Sequence, residues 1–332
     1  MKKAVLFLNF GGPVNTEEVE DFLYQLFSDT DGIKIGIPSV MQKLVAKIIS
    51  KKRTPSVQEK YEEIGGGSPL VAMTQSILDR LRSEFEEYYF YVGMRYTKPT
   101  IEDAVLQMKR DKIEDVLVVP LYPHYSIATS ETSFLELKRA IDFLEADDIS
   151  FRLLYQWYDF QPYIKALAER INIGLQKYYS SGTVPTLIFS AHSVPKSYIE
   201  EGDPYQKQIQ KTVGLLLKEL QWSGDWKLCY QSQVGPVPWL GPSMEETLEL
   251  YSNLDESNLL VIPMSFVGDH IETLHEVDIE FAELAQELGI QNFHRSPSLN
   301  TEESFIQCLI ELVNTYMKIE SLGIGWSRIH KK

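Results

Sequence analysis

Two stretches decide the fold. One is Lys98-Pro99-Thr100-Ile101-Glu102-Asp103-Ala104-Val105, followed by Asp115-Val116-Leu117-Val118-Val119-Pro120. The other is Gly241-Pro242-Ser243-Met244-Glu245-Glu246-Thr247-Leu248, followed by Asn258-Leu259-Leu260-Val261-Ile262-Pro263. Sliding the chain against itself lays both parts of the first on both parts of the second at one offset, without a gap. Each copy carries a proline, then Thr or Ser at an N-cap position with an acid three residues on, as in a capping box. A helical pattern and an apolar run ending at proline follow. At a different offset Ala4–Pro13 resembles Thr186–Pro195, each a strand that breaks at a turn ending in proline.

Working outward, short β-branched runs alternate with long amphipathic segments, the pattern of an α/β protein with largely parallel sheets. Strands are expected over Ala4–Phe10, Tyr89–Met94, Asp115–Tyr122, Ser150–Tyr155, Thr186–Ala191, Leu228–Gln231 and Asn258–Phe266. Helices are expected over Thr100–Arg110, Pro162–Tyr178 and Ile271–Leu288. The strands are mostly apolar on both faces, as in sheets covered on both sides. The repeat predicts two similar α/β lobes split near residue 165–185, taken as 1–165 and 166–332, with strand carboxyl ends facing a shared active-site cleft. Ligands of open α/β sheets bind outside those ends.

Composition narrows the function. The 332 residues are 44% hydrophobic and 24% charged, an ordinary globular balance. A net charge of −15 argues against a general nucleic-acid binder. The two cysteines, Cys229 and Cys308, stand far apart, which excludes a cysteine zinc site or a four-cysteine iron–sulfur cluster and suits a reducing compartment. The apolar start Ala4–Phe10 is cut short by Gly11-Gly12-Pro13, unlike a signal peptide, so a cytoplasmic location is expected.

Four constellations carry candidate chemistry. His192, in Phe189-Ser190-Ala191-His192-Ser193-Val194-Pro195, stands just past a strand end, where an imidazole can exchange protons near neutral pH; a hydrogen-bonded structural histidine is the plainer reading. Asp269-His270-Ile271-Glu272 opens a helix on which Glu272, Glu276 and Glu280 step by four along one face, with Ile271, Leu274, Phe281 and Leu284 expected to be buried opposite. Carboxylates with imidazoles suit a divalent ion such as Fe²⁺ that must bind and leave; the alternative is a solvated acidic face. Arg53, Tyr61 and Gly65-Gly66-Gly67-Ser68-Pro69 offer a cation, a phenol, a hydroxyl and backbone amides for carboxylates or phosphate, without being a P-loop; Arg95-Tyr96 ends the second strand. From Ile33 to Arg53 there are six bases and no acid, with Val40, Met41, Leu44, Val45, Ile48 and Ile49 on one helical face. That reads as a membrane-surface or lipophilic-ligand lip, or as a core helix with a basic outer face.

Together these motifs resemble the ferrochelatases, which insert Fe²⁺ into a porphyrin in the last step of haem synthesis. The resemblance spans nearly the whole chain. It rests on Asn9-Phe10-Gly11-Gly12-Pro13, Arg53-Thr54-Pro55, Gly65–Pro69, Arg95-Tyr96, Tyr122-Pro123, Ser190-Ala191-His192-Ser193, Gly202–Tyr205, Gln231-Ser232-Gln233-Val234-Gly235-Pro236 and Asp269-His270-Ile271-Glu272-Thr273-Leu274. It implies His192 and Glu272 as the catalytic pair, with Asp269, His270, Glu276 and Glu280 joining them in handling the metal. It implies Arg53, Tyr61 and Ser68 as porphyrin-propionate contacts, with Phe10, Arg95 and Tyr96 in the porphyrin pocket. Porphyrin and ferrous iron are then the substrates, and no cofactor is permanently bound. A [2Fe-2S] cluster, carried by some members on several cysteines, is not expected with two. A monomer is expected, resting on a membrane surface through residues 33–53. His124 stands where the family commonly has Gln. Members acting on coproporphyrin commonly have Tyr at position 10, and Phe10 lacks its donor atom, which favours protoporphyrin IX. The competing readings are a coproporphyrin ferrochelatase, a cobalt or nickel chelatase for another tetrapyrrole, and a non-catalytic tetrapyrrole or metal carrier.

Overall fold

The computed structural model describes residues 1–33, 38–180, 182–233, 235, 237–254 and 257–319; residues 34–37 of the basic segment, and Val234 and Pro236, lie outside them. The chain forms two α/β units. In the first, β1 (Lys3–Asn9), β2 (Tyr88–Met94), β3 (Asp115–Pro120) and β4 (Ser150–Leu153) make a parallel sheet in the order β2-β1-β3-β4. Helices α1 (Val19–Ser28), α2 (Ser39–Glu63), α3 (Leu70–Glu84), α4 (Ile101–Asp111) and α5 (Thr132–Phe143) flank it. In the second, β5 (Thr186–His192), β6 (Trp226–Gln231), β7 (Asn258–Pro263) and β8 (Asn292–Arg295) repeat the arrangement as β6-β5-β7-β8, again parallel. Its helices are α6 (Gln161–Tyr179), α7 (Lys196–Glu200), α8 (Tyr205–Glu219), α9 (Met244–Asn253), α10 (Ala282–Glu287) and most of the first half of α11 (Glu303–Tyr316). Among the described residues no helix is long and apolar enough to cross a membrane.

The repeat read from the sequence holds bond by bond. Leu121 N donates to Leu8 O (2.8 Å), and Met264 N to Ser190 O (2.9 Å). Met94 N donates to Pro99 O (2.8 Å), and Tyr230 N to Pro242 O (2.9 Å). Both capping boxes close: Asp103 N donates to Thr100 Oγ1 and Thr100 N to Asp103 Oδ2, and Ser243 with Glu246 does the same. Satisfying two otherwise orphaned helix donors fixes where α4 and α9 begin. The sheets are anchored by strands with no wet face: Ala4 to Leu8 and Leu259 to Ile262 are fully buried, each large aliphatic side chain contributing about 1.5–3 kcal/mol. Around β5 and β7, Ile188, Leu259 and Val261 pack on Met244, Leu248, Val277, Phe281 and Ala285.

Three expectations change. First, β3 and β7 stop at Pro120 and Pro263, not at Tyr122 and Phe266. Second, β8 was not foreseen: it is a short edge strand, Asn-Phe-His-Arg, without an apolar run. Third, the division between units lies at Gln156/Trp157 rather than 165/166, which falls inside α6. Trp157 packs against Tyr163 and stacks with Phe305 in the second unit. From Leu309 on, α11 belongs to the first unit, where Arg152 on β4 donates to Tyr316 O (3.1 Å).

Candidate active site

In the second unit, the carboxyl end of β5 delivers His192. Its backbone is gripped from both sides: His192 N donates to Ser265 Oγ (2.6 Å), Tyr205 OH donates to His192 O (2.9 Å), and Tyr205 OH and Ser265 Oγ lie 2.7 Å apart. A main chain so held leaves the imidazole little freedom. Its Nδ1 lies 2.9 Å from Glu272 Oε2. Burial opposes the imidazolium, but the charge and hydrogen bond of Glu272, with the more distant Glu276, outweigh it and raise the His192 pKa. The same pairing works in reverse on Glu272: burial opposes its charge, yet His192 and then His270 hold its carboxyl far below the usual range.

Glu272 opens a segment that the α-period misjudges. Glu272–Phe281 is π-helical, with i→i+5 hydrogen bonds, before α10 resumes the tighter turn. Such wide turns are rare and recur at functional sites. The altered pitch corrects most of the expected buried stripe: Phe281 is buried as expected, but Ile271, Leu274 and Leu284 are only half-buried, while Thr273 and Val277 point inward. Glu276 is held by Ser232 N (2.8 Å), Ser232 Oγ and Gln231 Nε2 (3.1 Å). Its pKa is raised, by burial first and by the charge of Glu272 second. Gln231 also accepts from Ser190 Oγ (2.5 Å) and donates to Glu272 O (3.2 Å), so one amide ties β5, β6 and the π-helix together. Ser232 adopts φ +63°, a left-handed conformation unusual for a residue with a side chain.

The remaining expected metal ligands separate. Asp269 accepts from Arg295 Nη1 (2.9 Å), Ser298 Oγ (2.7 Å) and Thr273 Oγ1 (3.0 Å) on Oδ1, and from Asn300 Nδ2 (2.8 Å) on Oδ2. Despite its burial these contacts, Arg295 foremost, lower its pKa. Oδ1 is occupied by three donors, and Oδ2 accepts from Asn300 alone. His270 is buried against Phe266; its Nδ1 lies 3.1 Å from Gly268 O, and its Nε2 lies 3.3 Å from Glu272 Oε2 without hydrogen-bond alignment. Glu280 approaches His275 Nδ1 at 3.6 Å. Among the described residues no three His, Cys, Asp or Glu side chains converge on one ion position. The acidic ladder is a series of pairs, not a cage.

In the first unit, Phe10 follows β1 as His192 ends β5, since Leu8 pairs with Pro120 as Ser190 does with Pro263. Its ring lies 4.7 Å from that of Tyr96 and 6.3 Å from Phe22. Arg95 is not a free cation: its Nη2 lies 2.9 Å from Asp29 and Nη1 3.7 Å from Glu136, and Tyr96 OH donates to Asp29 (2.6 Å). Tyr61 and Ser68 meet around the turn after β1. A Cβ on Gly12 would lie 2.6 Å from Ser68 Cβ and Oγ, so glycine there makes room for Ser68, with Tyr61 OH at 3.8 Å from the same point. Arg53, on α2, lies over the Phe27 ring. On the same helix Val40, Met41, Leu44 and Ile48 are exposed beside Lys43 and Lys47, while Gln42, Ala46 and Ser50 face inward. The apolar face therefore lies outside the core.

Sequence reasoning assigned no role to Gln231, Ser232, Tyr205, Ser265, Asp29 or Arg295. The motifs Gln231-Ser232 and Gly202–Tyr205 marked the first three, but polar side chains acting through backbone and carboxylate partners carry no periodic signal.

Comparison with known proteins matches this picture. The ferrochelatase family model covers residues 2–317. The ferrochelatase of Geotalea daltonii is 46% identical over 317 residues, spanning 95% of this chain and 98% of that one. That of Geobacter metallireducens is 46% identical over 315 residues, spanning 94% and 98%. Among solved structures, the sirohydrochlorin chelatase SirB from Bacillus subtilis subspecies spizizenii, in complex with cobalt, superposes with a TM-score of 0.55 at 13% identity, covering 95% of this chain and 94% of that one. SirB from Bacillus subtilis with Fe³⁺ gives 0.56 at 13% identity, covering 95% of each. At that identity the likeness is one of fold, two Rossmann-like units. Similarity in sequence over nearly the full length goes further, and by it the chain belongs to the ferrochelatase family, whose activity is the insertion of a metal ion into a porphyrin.

Proposed function

We propose that the chain inserts Fe²⁺ into protoporphyrin IX, as a lyase of haem formation without a resident cofactor or [2Fe-2S] cluster. The observation that carries this reading is the 2.9 Å contact between His192 Nδ1 and Glu272 Oε2 at the carboxyl end of β5. Insertion replaces two pyrrole N–H protons by the metal, so two protons must leave the macrocycle. His192 accepts one proton at a time as a general base, releasing the first to water before taking the second, and Glu272 stabilises the imidazolium formed each time. Glu272, with Glu276 beyond it, partly strips the hydrated ion; oxygen ligands on separate partners bind it weakly enough for fast release. His270 and Glu280 flank this route, and Asp269 braces it.

Porphyrin recognition falls to the first unit. Arg53, Tyr61 and Ser68 bind propionates, and contacts remote from the ring nitrogens supply part of the strain that tilts a pyrrole out of plane. Arg95, neutralised by Asp29 and Glu136, shapes the pocket with Phe10 and Tyr96 instead of offering a charge. Phe10 has no donor atom, and this supports protoporphyrin IX over coproporphyrin. The chain acts as a monomer in the cytoplasm. The exposed apolar and lysine-bearing face of α2 rests on the inner surface of the membrane.

The test is anaerobic turnover on protoporphyrin IX and coproporphyrin III with Fe²⁺, for the natural chain and for His192→Ala and Glu272→Gln. Faster turnover of protoporphyrin IX and loss of activity in both variants are expected. Preference for coproporphyrin III overturns the substrate assignment. Near-normal turnover in both variants overturns the catalytic one.

A further inference from the structure

We infer that Arg295 is a positioning residue that holds the π-helical segment open across the two glutamates assigned to the metal. The inference rests on that assignment of Glu272 and Glu276. Arg295 ends the edge strand β8, and its guanidinium is nearly enclosed. Nε and Nη2 grip Asp278 as a fork, at 2.8 and 2.7 Å. Nη1 reaches Asp269 Oδ1 at 2.9 Å and Ser298 Oγ at 3.1 Å. Asp269 precedes Glu272 and Asp278 follows Glu276, so one planar group pins the chain on both sides of the pair. Asp269 passes the hold on through Thr273 Oγ1, which also accepts from His270 N (3.0 Å).

The physical need for a brace follows from the helix itself. A run of i→i+5 bonds competes with the tighter i→i+4 alternative that ordinary helical sequences adopt. Relaxation to the α-pitch would rotate Glu276 relative to Glu272 and pull its carboxylate from Ser232. A rigid fork spanning the segment opposes that rotation, and a point charge such as lysine cannot, because it lacks the paired, coplanar donors.

The experiment uses the full chain with Arg295→Lys and Asp278→Asn. Initial rates are measured with Zn²⁺ varied at saturating porphyrin and the reverse, beside thermal unfolding and far-ultraviolet circular dichroism. Both variants are expected to raise the KM for Zn²⁺ about ten-fold or more, as outer partners of metal groups do, with the porphyrin KM nearly unmoved. A purely structural arginine would lower kcat in proportion to the folded fraction and leave both KM values alone; that result overturns the proposal. So does an unchanged Zn²⁺ KM in both folded variants. Glu272→Gln is run alongside: if it keeps normal activity and Zn²⁺ KM, the assignment of Glu272 fails. An inactive Glu272→Gln beside unaffected Arg295→Lys and Asp278→Asn rejects the brace alone.

Discussion

His124, just beyond the end of β3, should make the first unit acid-sensitive. The residue is 2% exposed, and burial pushes its pKa from the usual 6.5 down to about 3. The folded chain thus refuses a proton that the unfolded chain accepts below pH 6.5, so stability falls as pH falls through the window between the two values. At 1.36 kcal/mol per unit, this amounts to about 2 kcal/mol between pH 7 and 5, and about 4 kcal/mol by pH 3. Glutamine at this position cannot titrate. Urea unfolding of the natural chain and His124→Gln at pH 7 and 5 isolates the effect, because the carboxylates they share cancel in the difference. The natural chain should lose about 2 kcal/mol more than the variant over that interval. Equal pH dependence in the two proteins would refute the reasoning, whatever the absolute stability of the variant.

Two further outcomes concern function. Glu272 raises the His192 pKa against burial, and a base must be neutral to accept a proton, so activity declines as pH drops through that raised value. In Glu272→Gln only the more distant Glu276 still opposes burial; the acid limb of residual kcat/KM should move to lower pH, and an unmoved limb contradicts the pairing. On α2, the natural chain should sediment with anionic vesicles at low salt, and Leu44→Glu with Ile48→Glu, which replaces exposed apolar groups by charges of the same sign as the lipid, should abolish this. Equal sedimentation of both proteins removes α2 as the contact.

How much was legible in the sequence depended on what kind of interaction set each feature. The two copies of the helix-and-strand block were readable because capping boxes and buried strands are local, and their bonds recur in the structure almost atom for atom. His192 and Glu272 were readable from their places after a strand and at a helix start, and the fold brings them to 2.9 Å. The partners of Asp269 were not legible: Arg295, Ser298 and Asn300 come from a strand and loop that no pattern announced. The π-pitch was not legible: spacing by four suggests an α-helix with Ile271, Leu274, Phe281 and Leu284 inside, and of these only Phe281 is buried, with Thr273 and Val277.

The sequence by itself determined the α/β class, the internal repeat, where most strands begin, and which imidazole and carboxylate stand at strand and helix ends. Those are consequences of periodicity, caps and proline, which act over a few residues. Only the tertiary structure decided that Arg95 is neutralised by Asp29, that Gln231 joins β5 to the π-helix, and that the helix after Glu272 widens. Each of these is a polar contact between residues far apart in the chain. Its energy depends on direction and burial, which the order of side chains does not encode locally.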